Sequence, residues 1–160
     1  MNGIDLLRRS DREPLQRLLV ETRYFSEDEV AIALELIDVV LDRPEQKDYI
    51  IRVCRDGETV LGYYCVGPTP ATESTYDLYW IAVAASMHGR GIGKELIAHA
   101  EQLICSRGGR LVMVETSSRP QYDKTRRFYG ICGYSELARI KDYYRPGDDL
   151  VIFGKYLSQL

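Results

Sequence analysis

The most informative segment of the chain is His88-Gly89-Arg90-Gly91-Ile92-Gly93-Lys94. It follows an apolar run typical of a β-strand, residues 77–84, and precedes an amphipathic run typical of a helix, residues 95–106. A glycine-rich turn that opens a helix presents several unpaired backbone N–H groups at the positive end of the helix dipole. The segment therefore predicts a site in which backbone amides from about Arg90 to Lys94 hold a pyrophosphate.

The spacing of the glycines excludes two common phosphate-binding loops. A Walker loop, GxxxxGK(S/T), that ends at Gly93-Lys94 would need glycine at position 88 and serine or threonine at position 95, where the chain has His88 and Glu95. A dinucleotide-binding GxGxxG motif that begins at Gly89 would need glycine at position 94, which is Lys94. The pattern that remains is a strand, a short loop, x-x-Gly-x-Gly and a helix.

Length and composition predict one globular domain that spans residues 1–160. The chain is 45% hydrophobic and 28% charged, which is ordinary for a soluble protein, and its net charge is −3. This acidic balance gives no reason to expect a nucleic acid as the partner. No apolar run approaches about 18 residues, and the N-terminus carries Asp5, Arg8 and Arg9. We therefore predict neither a membrane span nor a signal peptide.

The cysteines and histidines do not form a metal-binding pattern. The four cysteines are widely spaced without a CxxC motif, and the chain has two histidines, His88 and His99. We therefore predict no metal site, and reduced cysteines in a cytoplasmic protein.

Hydrophobic periodicity and turn residues predict the element order β α α β β β α β α β β. The capping boxes Ser10-x-x-Glu13 and Ser26-x-x-Glu29 begin the first two helices, Asp56-Gly57 marks a hairpin, and Gly108-Gly109 ends the third helix. The predicted strands span residues 4–9, 49–55, 59–66, 77–84, 110–116, 134–140 and 150–156. The predicted helices span residues 10–22, 26–41, 95–106 and 123–131.

Two motifs in this order resemble those of the Gcn5-related N-acetyltransferase (GNAT) superfamily. Gly91 and Gly93 match the coenzyme A loop Gln/Arg-x-x-Gly-x-Gly/Ala, although His88 departs from its first position. The segment 125–134, TRRFYGICGY, is similar to the family signature A-x-x-F-Y-x-x-x-G-F/Y. Tyr122 stands where many members have Asn, and Thr125 where many have Ala. The resemblance covers residues 76–157 and implies an α/β (α+β) fold. Its mixed sheet has about seven strands and about four helices, and parallel strands 4 and 5 splay to form the acetyl-CoA cleft.

The resemblance also implies which residues contact the cosubstrate acetyl-CoA. Backbone groups at the end of the fourth strand would pair with the pantetheine amides, and the Val83 amide would polarise the acetyl carbonyl. The glycine-rich turn would hold the pyrophosphate, and nearby cationic side chains would reach phosphates. The cofactor-binding residues implied in this way are Ile81, Ala82, Val83, His88, Gly89, Arg90, Gly91, Ile92, Gly93, Lys94, Arg126 and Phe128.

Acetyl transfer to an amine needs a neutral amine and a proton for the departing thiolate. A lysine-type amine is neutral in only about one molecule in 2,500 at pH 7, so a general base is valuable. Tyr129 resembles the family's general acid. Asp77 lies 14 residues before Gly91, where histone-type members carry a catalytic glutamate. Glu115 is the rival base, because a carboxylate within an apolar run is costly to bury and so favours a cleft. A bound water is the third candidate.

The acceptor side is less specific in the sequence. The loop between the last two strands, residues 141–149, resembles the hairpin of ribosomal-type protein N-terminal acetyltransferases. We expect several tyrosines to line the acceptor cleft or to pack at the surface: Tyr24, Tyr143 and Tyr144. Acidic residues either favour a cationic acceptor or form a solvated helix start and turn: Glu27, Asp28, Glu29, Asp148 and Asp149.

Three functions remain open at this point. The first is an acetyl-CoA-dependent N-acetyltransferase that acts on a small-molecule amine by direct attack. The second is the same chemistry on a protein or peptide amine. The third is an acyl-CoA-binding module without turnover, which would need neither Tyr129 nor a base. Family members commonly form homodimers, so the resemblance implies that a homodimer is one assembly to test for this chain.

Overall fold

The computed structural model describes residues 2–158 and follows the predicted element order. Its strands are β1 (Asn2–Leu6), β2 (Ile50–Asp56), β3 (Thr59–Pro68), β4 (Thr75–Val83), β5 (Leu111–Ser117), β6 (Ser135–Arg145) and β7 (Asp148–Tyr156). Its helices are α1 (Arg12–Glu21), α2 (Glu27–Asp42), α3 (Ile92–Ser106) and α4 (Asp123–Ile131). The predicted mixed sheet of seven strands with four helices is confirmed.

The strands form one sheet in the order β1-β2-β3-β4-β5-β7-β6. The β4–β5 pair is parallel, and each of the other five neighbouring pairs in residues 2–158 is antiparallel. Parallel pairing of β4 with β5 ends at Asp77 and Met113. Just beyond this point β4 carries a bulge, because Val66 pairs with Leu78 and Cys65 with Trp80, which leaves Tyr79 as an extra residue. A bulge bends its strand, and β4 and β5 separate from here onward.

Helices cover both faces of the sheet and create two layers of core. On one face α3 and α4 pack on the strands through residues such as Leu96, Ile104 and Val112, each at most 2% exposed. On the other face α1 and α2 pack on the strands through residues such as Leu15 and Ile37. The gap between β4 and β5 is therefore bordered by helices on both sides.

The start of α1 differs from the prediction. The Ser10 capping box does not form; a 3₁₀ turn, Arg9–Asp11, precedes the helix, which begins at Arg12. The reason is long-range. The Asp11 carboxylate accepts the backbone N–H of Arg8 at 2.7 Å and forms a buried ion pair with Arg55 of β2. This pairing ends the first strand at Leu6 rather than at residue 9.

The second capping box is confirmed. The Glu29 N–H donates to Ser26 Oγ, and the Ser26 N–H donates to Glu29 Oε1, both at 3.2 Å. The predicted loop over residues 141–149 is wrong in extent, because β6 and β7 continue to a tight turn at Pro146-Gly147. The Gly147 N–H donates to Asp142 Oδ1 at 2.8 Å, which stabilises this hairpin.

Candidate active site

A cavity of about 1320 Å³ opens where β4 and β5 have separated. Its wall includes the end of β4, the end of β5, the start of α3, one side of α4 and the β6–β7 hairpin. Pockets for a single small ligand usually occupy about 300–1,000 Å³. The cavity is therefore large enough for an extended cofactor and a second molecule beside it.

The glycine-rich turn forms the end of the cavity at the start of α3. Gly91 is the N-cap of α3 with φ +84°, and Gly89 has φ +78°. A Cβ at either position would meet no atom within 4 Å, so the left-handed backbone, and not packing, favours glycine there. The N–H groups of Ile92, Gly93 and Lys94 belong to the first turn of α3 and have no acceptor within the helix. These amides lie where the sequence predicts an anion cradle.

Gly93 is glycine for a different reason. A Cβ built on it would lie 3.1 Å from Cζ and 3.2 Å from Cε2 of Phe128. The aromatic ring of α4 therefore rests directly on the first turn of α3, and both residues line the cavity. The two sequence motifs meet at this contact.

Arg90 and Arg126 are predicted cofactor residues that the structure does not place on the cavity wall. The Arg90 N–H donates to Met87 O at 3.4 Å, so it is engaged within the turn. The Arg126 guanidinium donates to the carbonyl oxygens of Ser117 and Arg119 and pairs with Asp123. Arg126 therefore holds the end of β5 against α4. The other ten predicted cofactor residues line the cavity.

His88 links the turn to the end of β4. Its Nε2 lies 3.0 Å from Val83 O, and because a carbonyl only accepts, Nε2 carries the donated proton. His88 thus ties the loop to the end of the strand. Beyond Asp77 the edge of β4 that faces β5 has no strand partner. Its backbone groups along Ile81–Val83 are therefore available to a ligand in the gap.

Tyr129 reaches the cavity from α4. Its side chain is 4% exposed and packs against the rings of Tyr134 and Phe153, with centroids 5.9 and 6.1 Å away. Its hydroxyl makes no hydrogen bond to another residue of the described range 2–158. Burial raises the pKa of Tyr129 above the usual value of 10.0. The residue is therefore a neutral phenol on the cavity wall whose hydroxyl is not engaged by another described side chain.

The two candidate bases occupy different positions relative to the gap. Asp77 belongs to the last paired position of β4 and β5, does not line the cavity, and accepts a hydrogen bond from Thr69 Oγ1 at 2.7 Å. Glu115 lies on β5 two residues beyond the last paired residue, is exposed, and lines the cavity. Burial, with a smaller contribution from Glu115, raises the pKa of Tyr144 to about 12. Glu115 and Tyr144 therefore both line the acceptor end of the cavity.

The hairpin at the acceptor end is anchored by its two aspartates. The Ser117 hydroxyl donates to Asp148, the Asp149 N–H donates to Ser118 Oγ at 2.8 Å, and Asp149 pairs with Arg139. Both carboxylates are thus paired within the protein. Asp148 pairs with Arg119 and Asp149 with Arg139, whereas Asp28 and Glu29 of the same predicted acidic set line the cavity. A preference for a cationic acceptor stays a prediction. Of the predicted tyrosines, Tyr24 and Tyr144 line the cavity and Tyr143 does not.

Comparison with known proteins agrees with this geometry. The family model described as the acetyltransferase (GNAT) family matches residues 8–134. The chain belongs to the GNAT family. A comparison with curated proteins found no match.

Solved structures of acetyltransferases superpose on nearly the whole chain, and the first of them is described as a putative acetyltransferase of the GNAT family. One from Desulfovibrio desulfuricans is 36% identical, with a TM-score of 0.95, and the match covers 99% of this chain and 100% of that one. The ribosomal-protein-S18-alanine N-acetyltransferase from Escherichia coli is 17% identical, with a TM-score of 0.78 and coverage of 100% and 96%. An aminoglycoside 6'-N-acetyltransferase complexed with coenzyme A is 16% identical, with a TM-score of 0.72 and 96% coverage of each chain. The last two share the fold with this protein.

The cavity of this GNAT protein fits coenzyme A. The amides at the start of α3, with Lys94 beside them on the cavity wall, suit a pyrophosphate. The unpaired edge of β4 suits the amides of a pantetheine arm. Among residues 2–158, no three His, Cys, Asp or Glu side chains are grouped so as to hold a metal ion. None of the helices described for these residues is long and apolar enough to cross a membrane.

The cavity wall also includes residues that were not singled out as site residues from sequence, among them Trp80, Arg119, Tyr122 and Arg145. Tyr122 was noted as a departure from the family pattern, and its hydroxyl lies 3.5 Å from Tyr24 O. The others depend on the bulge in β4, the turn after β5 and the hairpin register. No local sequence signal could have identified them.

Proposed function

We propose that this protein transfers an acetyl group from acetyl-CoA to a primary amine of a small molecule by direct attack. One observation carries the proposal: the gap between β4 and β5 joins an amide cradle at the start of α3 to Tyr129 and Glu115 within one cavity. An anion site alone would serve binding. A buried phenol and an exposed carboxylate on the same cavity add the groups that acyl transfer to an amine requires.

Tyr129 acts in this proposal as the general acid. The thiolate of coenzyme A leaves when the amine attacks, and the phenol donates a proton or a hydrogen bond to its sulfur. Burial raises the pKa of Tyr129 and so keeps the phenol neutral at physiological pH. The backbone edge at Val83 donates to the acetyl oxygen as negative charge develops there.

Glu115 is the base that we favour over Asp77. Glu115 lines the cavity beyond the point where the strands separate, whereas Asp77 lies at the paired part and is engaged by Thr69. The carboxylate accepts a proton from the ammonium form of the acceptor, directly or through a water. This transfer raises the neutral fraction of the amine at the moment of attack.

The state of the cysteines supports a cytoplasmic location for this enzyme. All four cysteines are free in the structure, and unpaired cysteines are typical of proteins in reducing compartments. We therefore place the proposed reaction in the cytoplasm.

The proposal is tested by thiol release from acetyl-CoA over a panel of small amines, amino acids, polyamines and short peptides. Acetylation of small amines supports it, and acetylation confined to peptides would assign a protein or peptide acceptor instead. Coenzyme A binding by calorimetry without turnover on any acceptor would assign a binding module. A protein that binds no coenzyme A would refute the assignment of the α3 turn as a phosphate site.

A further inference from the structure

Two arginines flank one buried carboxylate at the acceptor end of the cavity. Arg119 Nε lies 3.1 Å from Asp148 Oδ2, and Arg145 Nε lies 4.0 Å from the same oxygen. The Asp148 side chain is 4% exposed, and Ser117 donates to its other oxygen. Both arginines and Asp148 line the cavity. A fixed anion thus holds two cations, which leaves one positive charge in excess within this group of three residues. The other carboxylates of the wall are Asp28, Glu29 and Glu115.

The side-chain N–H donors of these two arginines lack hydrogen-bond partners within the described residues. Arg119 Nε is close to Asp148 but is not aligned on it, so this buried donor has no hydrogen-bond partner within residues 2–158. No hydrogen bond involves the Nη groups of Arg119 or Arg145 within that range. The Arg119 guanidinium also lies over the Tyr122 ring, 5.6 Å from its centroid, which limits its orientation. A guanidinium held in this way is prepared for a planar anion.

A second side chain on the cavity wall, Trp80, also has a buried N–H group without a hydrogen-bond partner among the described residues. Trp80 Nε1 is buried without a hydrogen-bond partner in the described range, and Trp80 lines the cavity. Buried polar groups in proteins are nearly always paired. Trp80 Nε1 and Arg119 Nε are both N–H donors, so an acceptor atom is the kind of partner that each of them lacks.

We propose that the acceptor is an amine that also carries a carboxylate, and that Arg119 and Arg145 bind this carboxylate. The proposal rests on the function proposed above and defines its substrate class. Glu115 and Arg119 are four residues apart, so their Cα atoms are at most about 14 Å from one another, and their long side chains shorten that span. A small amino acid or a similar amino-carboxylate can place its ammonium at Glu115 and its carboxylate at the arginines. The cavity wall then complements both charges.

Matched acceptors test the proposal with the wild-type enzyme. Each amino acid of the panel is compared with its carboxamide, with the amine left by its decarboxylation, and with the corresponding amino-phosphate. We expect kcat/KM for the amino acid to exceed that for its carboxamide by about 10-fold to 100-fold, the usual effect of a charged hydrogen bond. Equal values for the pair would overturn the proposal. A larger kcat/KM for the amino-phosphate would overturn the choice of carboxylate.

Variants locate the preference at the arginines. The Arg145 side chain is 60% exposed, so the Arg145→Gln variant is expected to fold normally. The Arg119→Lys variant keeps a cation beside the buried Asp148 but loses the planar guanidinium group. We expect both to lower the ratio of kcat/KM between amino acid and carboxamide toward one. Arg17→Gln, which removes an exposed arginine of α1 outside the cavity wall, is the matched control and keeps the ratio. An unchanged ratio in both arginine variants would overturn the proposal.

The outcomes separate this inference from the function on which it rests. Turnover of amines without a carboxylate preference leaves the acetyltransferase assignment standing and removes only the role of Arg119 and Arg145. Tight coenzyme A binding without turnover on any acceptor removes the acetyltransferase assignment, and the substrate class falls with it.

Discussion

Replacing Tyr129 by Phe removes the proposed general acid and changes little else. The ring of Tyr129 packs between the rings of Phe128, Tyr134 and Phe153, and phenylalanine keeps all three contacts. The Tyr129 hydroxyl makes no hydrogen bond to another residue of the described chain. The variant therefore leaves no buried partner unsatisfied, and we expect its free energy of unfolding to differ from that of the wild type by less than about 1 kcal/mol.

The expected effect on catalysis is much larger. A positioned general acid contributes about 10²-fold to 10⁴-fold to the rate, which corresponds to about 2.7–5.4 kcal/mol in the activation free energy. We expect kcat for acetylation of the best acceptor to fall by this factor in the Tyr129→Phe variant. The assay is thiol release from acetyl-CoA, with coenzyme A affinity measured in parallel by calorimetry. That affinity should not change, because the proton is needed only as the thiolate departs.

Tyr134→Phe is the matched control for this experiment. Tyr134 is also 4% exposed, burial also raises its pKa, and its ring is adjacent to that of Tyr129. Tyr134 does not line the cavity, so its hydroxyl cannot reach the reacting sulfur, and kcat should be retained. If both variants kept the wild-type kcat, Tyr129 would not be the general acid. If both lost activity equally, the loss would come from packing of the aromatic cluster.

Further predictions concern the pH profile, the base and the fold. Because burial raises the pKa of Tyr129 above 10.0, its acid form persists as pH rises, and kcat measured from pH 7 to pH 10 should show no fall from loss of this proton. Glu115→Gln should lower kcat/KM about 100-fold at pH 7, and less at higher pH, where more amine is neutral, whereas Asp77→Asn should cause a smaller loss; a larger loss in the Asp77 variant would reverse the assignment. Arg55→Met should cost about 3–5 kcal/mol in urea unfolding, because Asp11 is left buried without its partner, and a cost below about 1 kcal/mol would show that the pair is solvated.

Much of the fold could be predicted because its signals are local. The Ser26 capping box and the α4 segment, residues 123–131, need only neighbouring residues, and both occur as predicted. The start of α1 could not be predicted, because Asp11 forms an ion pair with Arg55, which is 44 residues away in sequence. The length of the β6–β7 hairpin also depended on distant partners, since Ser117 and Ser118 anchor its aspartates.

The candidate site also has one part that local sequence predicts and another that depends on distant residues. The glycine-rich turn and Tyr129 are each part of a contiguous motif, so sequence alone places them in the site. The acceptor end is assembled from the turn after β5 and the hairpin, and Asp148 there is neutralised by Arg119, a residue 29 positions earlier. Charge counted along the sequence suggested an acidic acceptor end. Pairing in three dimensions groups Asp148 with Arg119 and Arg145, so the acceptor end carries cations as well as the carboxylate of Glu115.

The alternation of side chains along β5 places Glu115 on the opposite face of the sheet from Tyr129 of α4. Val114 lies in the same hydrophobic cluster as Tyr129, on the face of the sheet covered by α3 and α4. Successive residues of a strand point to opposite faces, so Glu115 points to the face covered by α1 and α2. An acid and a base on one face could hydrogen-bond to each other and be lost to the substrate. On opposite faces they meet only through the gap between β4 and β5, so the ligand that fills the gap contacts both.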